Sequence, residues 1–147
     1  LTKTEIIAQL PYAPPFLFVD ELLTVDEHGA EGVYTFPEDA YFYKGHFKDT
    51  PVTPGVLLTE CMAQIGVVCL GIYLLQGKAA QKLGVALSSS EVQYYAPVYP
   101  GEWVRVVSKK SYFRFQKLKC EVHMYNAAAQ LVCKGTISGM LKSMKDA

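Results

Sequence analysis

The chain has one Trp, only 19% charged residues, and four Cys with no CxxC pair among them. Its longest uncharged run is the seventeen residues from Cys61 to Gly77. Each shortage excludes something. Four scattered thiols in 147 residues are too few for a disulfide-stapled scaffold. With three His they show no metal-ligand spacing. The uncharged run sits at the short edge of a membrane span, contains Gln64 and Gln76, and abuts Glu60, so it reads as a buried core helix and no membrane is expected. No basic stretch leads an apolar one at the N-terminus, so no secretory leader is expected and the thiols are read as reduced, in the cytoplasm. GxGxxG, the phosphate-binding GxxxxGKS/T pattern, GxSxG and HExxH are all missing, so no cofactor and no metal is expected. The formal net charge is zero, which gives no global reason to expect nucleic acid.

What remains is a core-rich sequence, 50% hydrophobic and 12% aromatic. At this length residues 1–147 read as one domain, able to bury roughly 70% of the unfolded surface. The charges are unevenly spread. Residues 1–102 hold five Lys/Arg against twelve Asp/Glu, and residues 103–147 hold nine against two. Either the two halves neutralise each other in the fold, or a basic face meets an acidic partner.

Periodicity predicts a short helix over Thr2–Leu10, stopped by Pro11, then a strand over Phe16–Val25, a turn at Asp26–Gly29 and a returning strand over Ala30–Phe36. Pro37–Thr53 reads as irregular and residues 54–76 as one long apolar helix. Four strands follow, at Gly84–Tyr95, Glu102–Phe115, Leu118–Tyr125 and Gln130–Lys142, the first two joined by a turn at Ala96–Gly101. In the third, Leu118, Cys120, Val122 and Met124 face one way and Lys119, Glu121 and His123 the other. In the fourth, Leu131, Cys133, Ile137 and Leu141 oppose Lys134, Thr136, Ser138 and Lys142. Such alternation means a sheet with one buried face, and a helix this apolar needs that sheet wrapped around it.

The chemistry concentrates between residues 43 and 64. Thr53 is a good N-cap, Pro54 suits the first helical position, and Gly55 exposes its backbone N–H to a close approach. N–H groups at a helix start favour a developing oxyanion, although Thr-Pro-Gly on its own is only a helix start. Glu60 lies inside the apolar helix with Gln64 one turn later on the same face. A carboxyl there must be paired, hydrogen-bonded or protonated, and desolvation suits it to donate a proton. His46, between Gly45 and Phe47, taken alone is a packed loop histidine. His28 and His123 have no constellation around them.

Together, Gly45-His46-Phe47, Pro54-Gly55-Val56-Leu57 and Glu60-x-Met62-Ala63-Gln64 resemble the β-hydroxyacyl-(acyl carrier protein) dehydratases of the hot-dog fold. Pro15-Phe16-Leu17-Phe18-Val19-Asp20 and Pro97-Val98-x-Pro100-Gly101-Glu102 extend the likeness over nearly the whole chain. The resemblance implies an α+β fold, an antiparallel sheet around one long central helix. It implies that His46 is the general base at the α-carbon and that Glu60, from the neighbouring subunit, protonates the departing β-hydroxyl. Gly55 N–H would hold the thioester oxygen, Gln64 would orient the carboxyl or its water, and Phe47 and Val56 would line the substrate site. It also implies an acyl-thioester substrate on acyl carrier protein, no cofactor, and homodimers that assemble as trimers of dimers. Lys109, Lys110, Arg114 and Lys117 become the carrier-docking surface. Three departures stand out: Lys48 where the family has Pro after Gly-His-Phe, Tyr12 where it has His after Leu-Pro, and Gln116 where it has a small residue. The competing readings are a hot-dog thioesterase, a dehydratase/isomerase (whose acid is usually Asp) and a non-catalytic acyl-binding subunit.

Overall fold

The alternation of the late strands is what organises the molecule. A computed structural model describes residues 1–76 and 82–144. Helix α1 (Lys3–Ala8) is followed by β1 (Glu21–Asp26) and β2 (Gly29–Thr35), then a 3-10 turn over Tyr41–Lys44. The central helix runs Gly55–Leu74 and is followed by β3 (Lys82–Tyr94), β4 (Trp103–Arg114), β5 (Lys117–Asn126) and β6 (Leu131–Met144). The six strands form one sheet in the order β1-β2-β4-β5-β6-β3, antiparallel throughout.

The sheet curls around the helix. Val104 and Val106 on β4, and Leu118, Cys120, Val122 and Met124 on β5, have no solvent exposure. They pack on a helix whose Cys61, Met62, Ile65, Cys69 and Leu70 are equally buried. Each such side chain stabilises the fold by about 1.5–3 kcal/mol. The helix is long and apolar enough to cross a membrane, but it lies inside the sheet. Gly77, the last residue of the uncharged run, lies outside the described residues. Gly66 sets the closeness of helix and sheet: a Cβ there would stand 3.0 Å from Ser108 Cβ and 3.1 Å from Val122 Cγ1.

Four local expectations are corrected. The first strand begins at Glu21, not Phe16. The backbone of Phe16 and Phe18 is partnered instead by helix side chains: Gln64 Nε2 donates to Phe16 O at 2.9 Å, and Phe18 N–H donates to Gln64 Oε1 at 2.8 Å. The central helix is not uniform, because Gln64–Val68 forms a π-helical turn between α2 (Gly55–Ala63) and α3 (Cys69–Leu74). Thr53 does not cap it. Pro54 holds the N-cap position, and the Thr53 hydroxyl is hydrogen-bonded to the Tyr43 hydroxyl at 2.5 Å. Ser138, placed by alternation among exposed residues, is buried, with its Oγ 3.2 Å from Ser88 Oγ and 2.6 Å from Ser89 Oγ.

Candidate active site

The segment carrying His46 is held by its own backbone. His46 N–H donates to Phe42 O at 3.1 Å, Val52 N–H to His46 O at 2.9 Å, and Phe47 and Thr50 exchange bonds of 3.0 and 3.3 Å. The Phe47–Thr50 pair closes the loop around Lys48, so this position is constrained by backbone hydrogen bonds on either side. His46 is half-buried and its Nδ1 lies 2.8 Å from Val52 O. A carbonyl can only accept, so Nδ1 carries a proton and in the neutral ring Nε2 keeps its lone pair. The ring stacks on Phe47 with centroids 4.1 Å apart. The Phe47 side chain itself is largely exposed.

Glu60 occupies the second turn of the helix, half-buried. Gln64 Nε2 donates to its Oε2 at 3.0 Å, confirming the i, i+4 face read from the sequence. Burial raises the Glu60 pKa above the usual carboxylate value, and the Gln64 bond only partly offsets that. Gln64 is fully buried, and its amide joins Phe16, Phe18 and Glu60. Glu60 opens into a cavity of about 170 Å³ lined by Tyr12, Phe16, Ala63, Val67, Val68, Val85, Leu87, Gly139 and Leu141. The lining is apolar apart from Glu60 and the Tyr12 phenol. His46 is not among these residues, so within one chain this cavity does not unite the base and the acid.

At the helix start, Leu57 and Leu58 donate to Pro54 O at 3.0 and 3.2 Å. The N–H groups of Gly55 and Val56, one step earlier, have no intrahelical acceptor. The backbone of Gly55 is crowded in a way the sequence did not reveal: a Cβ would stand 3.2 Å from the ring of Tyr94, which would have to shift by a few tenths of an ångström. Tyr94, missed by sequence reasoning, shares a 2.5 Å hydrogen bond with Thr59 Oγ1. With Thr53, Gly55, Leu58, Tyr95, Ala96 and Pro97 it lines an open hollow of about 320 Å³. Val56 is 75% exposed, the most exposed aliphatic side chain near this end.

The basic cluster does not form one patch. Lys109 stands opposite Glu121 and Lys110 opposite the buried Cys120, so the two lysines lie on opposite faces of β4. Arg114 and Lys117 face each other across the β4–β5 hairpin, whose tip residue Phe115 is 91% exposed. Both tip residues adopt left-handed backbone, with φ of 51° at Phe115 and 65° at Gln116. Among the described residues there is no cluster of His, Cys, Asp and Glu fit to hold a metal.

An antiparallel six-stranded sheet curled around one long helix, with His46 ahead of the helix and a half-buried Glu60 on it, defines the hot-dog class. Comparison with known proteins narrows this class. Residues 10–138 match the FabA-like domain, and the chain belongs to that family. It is 33% identical over 151 residues to the 3-hydroxyacyl-[acyl-carrier-protein] dehydratase FabZ of Roseiflexus sp. (strain RS-1), covering 97% of this chain and 98% of that one. Among solved structures it is similar to the dehydratase heterocomplex ApeI:P from Xenorhabdus doucetiae, with a TM-score of 0.79 at 12% identity over 97% of this chain and 93% of that one. It is also similar to a hypothetical thioesterase with coenzyme A from Streptococcus pneumoniae TIGR4, with a TM-score of 0.60 at 13% identity over 86% and 88%. At those identities the structural likenesses speak for the fold alone.

Proposed function

We propose that this chain is a hydro-lyase that dehydrates β-hydroxyacyl thioesters, carried on acyl carrier protein, to trans-2-enoyl thioesters in the cytoplasm. One observation carries the reading. Glu60 sits in an apolar cavity that favours its protonated form, held by a buried Gln64, while the Nδ1 bond of His46 keeps Nε2 as a base. An α-proton is weakly acidic and hydroxide a poor leaving group, so elimination needs both groups and an oxyanion donor together. His46 Nε2 takes the α-proton, Gly55 N–H steadies the thioester oxygen, and Glu60 gives its proton to the β-oxygen as the C–O bond breaks. Water leaves, and the proton on His46 returns to Glu60 through solvent. Val56, beside Gly55, and Phe47, stacked on the base, border the acyl thioester.

His46 and Glu60 of one chain do not share the Glu60 cavity, which supports a site shared between two subunits. The edge strand β3 offers the means. It has thirteen residues and only Lys82 and Glu91 as charges, and a long edge with few charges pairs readily with a second copy. Three such dimers would form the larger assembly. For carrier docking, Arg114 and Lys117 are better placed than Lys109 and Lys110. Two like charges directly opposite across a hairpin are destabilising unless an anionic partner covers them.

The test is turnover of β-hydroxyacyl thioesters on acyl carrier protein. His46→Ala and Glu60→Gln are each expected to lower kcat at least about a hundredfold. Wild-type rates in either variant would sink the assignment. Release of free thiol would indicate a thioesterase, and acyl binding without turnover a non-catalytic subunit.

A further inference from the structure

Tyr12 is the one polar side chain in the Glu60 cavity that the proposed mechanism leaves unused. It sits just beyond Pro11, in the irregular segment between α1 and β1. Gln64 ties that segment to the helix at Phe16 and Phe18, and the same amide holds Glu60. One buried residue therefore holds Glu60 directly and anchors the segment that follows Tyr12. Tyr12 is half-buried, its ring 6.2 Å from that of Phe16. No hydrogen bond joins its hydroxyl to Glu60 or to any other group among the described residues. Gln64 occupies Oε2 of Glu60, leaving Oε1 without a described partner. In a cavity otherwise walled by Val, Leu, Ala and Phe, a polar atom entering between Tyr12 and Glu60 finds those two groups and little else.

We propose that the Tyr12 hydroxyl is a second hydrogen-bond donor to the departing β-oxygen, holding that oxygen against Glu60 as it leaves. The inference rests on the dehydratase reading and adds a residue to it. Burial, reinforced by the field of Glu60, pushes the Tyr12 pKa up to about 12, so the phenol keeps its proton at physiological pH. It can then only strengthen a hydrogen bond to an oxygen gaining electrons, and it transfers no proton. The Cα–H pair becomes the second bond of the alkene, the C–O pair goes to the β-oxygen, and Glu60 supplies the proton that makes it water. Tyr12 holds that water until it departs. A donor that acts only on the leaving oxygen stabilises the transition state more than bound substrate, and so affects kcat rather than KM.

The experiment compares two short thioesters, 3-hydroxybutyryl and 3-chlorobutyryl, each on N-acetylcysteamine, with spontaneous elimination subtracted. Chloride leaves without a proton and gains little from a phenol donor. Tyr12→Phe is expected to lower kcat on the hydroxy substrate about 30- to 100-fold with KM within about twofold, and to lower the chloro rate less than about threefold. Tyr12→His, which keeps a ring N–H donor, is expected to recover part of the hydroxy rate. Equal losses on both substrates would mean that Tyr12 only packs the cavity wall, and no loss on either would mean that it is idle. Each of those results overturns the proposal. A Tyr12→His rate no better than Tyr12→Phe does so too, and that comparison stands even if Tyr12→Phe folds poorly. If wild-type protein eliminates neither substrate and also fails on the carrier thioester, the dehydratase reading falls and this one with it. A Tyr12 failure differs in leaving wild-type turnover intact.

Discussion

The amide of Gln64 meets Phe16 O, Phe18 N and the Glu60 carboxyl at once. Replacing it with Leu would strand a backbone donor and a backbone acceptor. Gln64→Leu should therefore destabilise the protein by roughly 2–5 kcal/mol, read from the urea midpoint at constant m. Glu60 itself makes a pH prediction. Its folded pKa is raised, so the folded state prefers the protonated acid. Whatever stability this group lends is fully present below the ordinary carboxylate pKa and is lost as pH rises through the higher folded value. Glu60→Gln removes that loss. The variant should melt a few degrees above wild type at pH 8 and converge with it toward pH 4, in parallel thermal scans. A constant offset across that range would remove desolvation as the cause. At this scale the sequence showed which residues could act. The i, i+4 step put Glu60 beside Gln64, but the two phenylalanines that Gln64 also binds lie 46 and 48 positions away. No local pattern contains that contact.

The strands most visible in the sequence are those where one face is dry and the other wet. Leu118, Cys120, Val122 and Met124 alternate without interruption, and all four are buried. Leu118→Ala should lower the unfolding free energy by about 2–5 kcal/mol in denaturant titration, since a cavity is left between sheet and helix. Phe16–Asp20 misled the same reasoning, because Phe18 is buried while the backbone of Phe16 and Phe18 pairs with the side chains of Gln64 and Cys61 on the helix. The π-helical turn at Gln64–Val68 is invisible to periodicity for another reason. One extra residue in a turn barely disturbs a pattern in which every position after Gln64 is apolar or glycine. Glycines 66 and 135 meet the sheet just as closely without any local sign. A Cβ on Gly135 would collide with the Glu91 carbonyl of β3, so Gly135→Val should unseat the β3 edge and lower the melting temperature by several degrees.

For the whole molecule, the proposed shared site is tested by mixing two dead proteins. If His46 of one subunit works with Glu60 of the other, co-refolded His46→Ala and Glu60→Gln chains regain about a quarter of wild-type activity. Half of the dimers are then mixed, and each mixed dimer carries one intact site. No recovery would mean that acid and base belong to the same chain or that the subunits do not pair. The zero net charge is the sum of an acidic front and a basic rear. The fold distributes that rear over both faces of β4 and a hairpin tip rather than gathering it into one patch. The sequence by itself determined the order of the elements, the buried central helix and the residue types of the site, because those follow from local periodicity and from motifs carried on contiguous residues. Only the tertiary structure decided that Gln64 fastens the Phe16–Phe18 segment, that the Tyr94 ring lies against Gly55, and that Tyr12 and Glu60 share one apolar cavity. Each of those depends on which distant segments the curled sheet presses against the helix, and chain spacing carries no record of that.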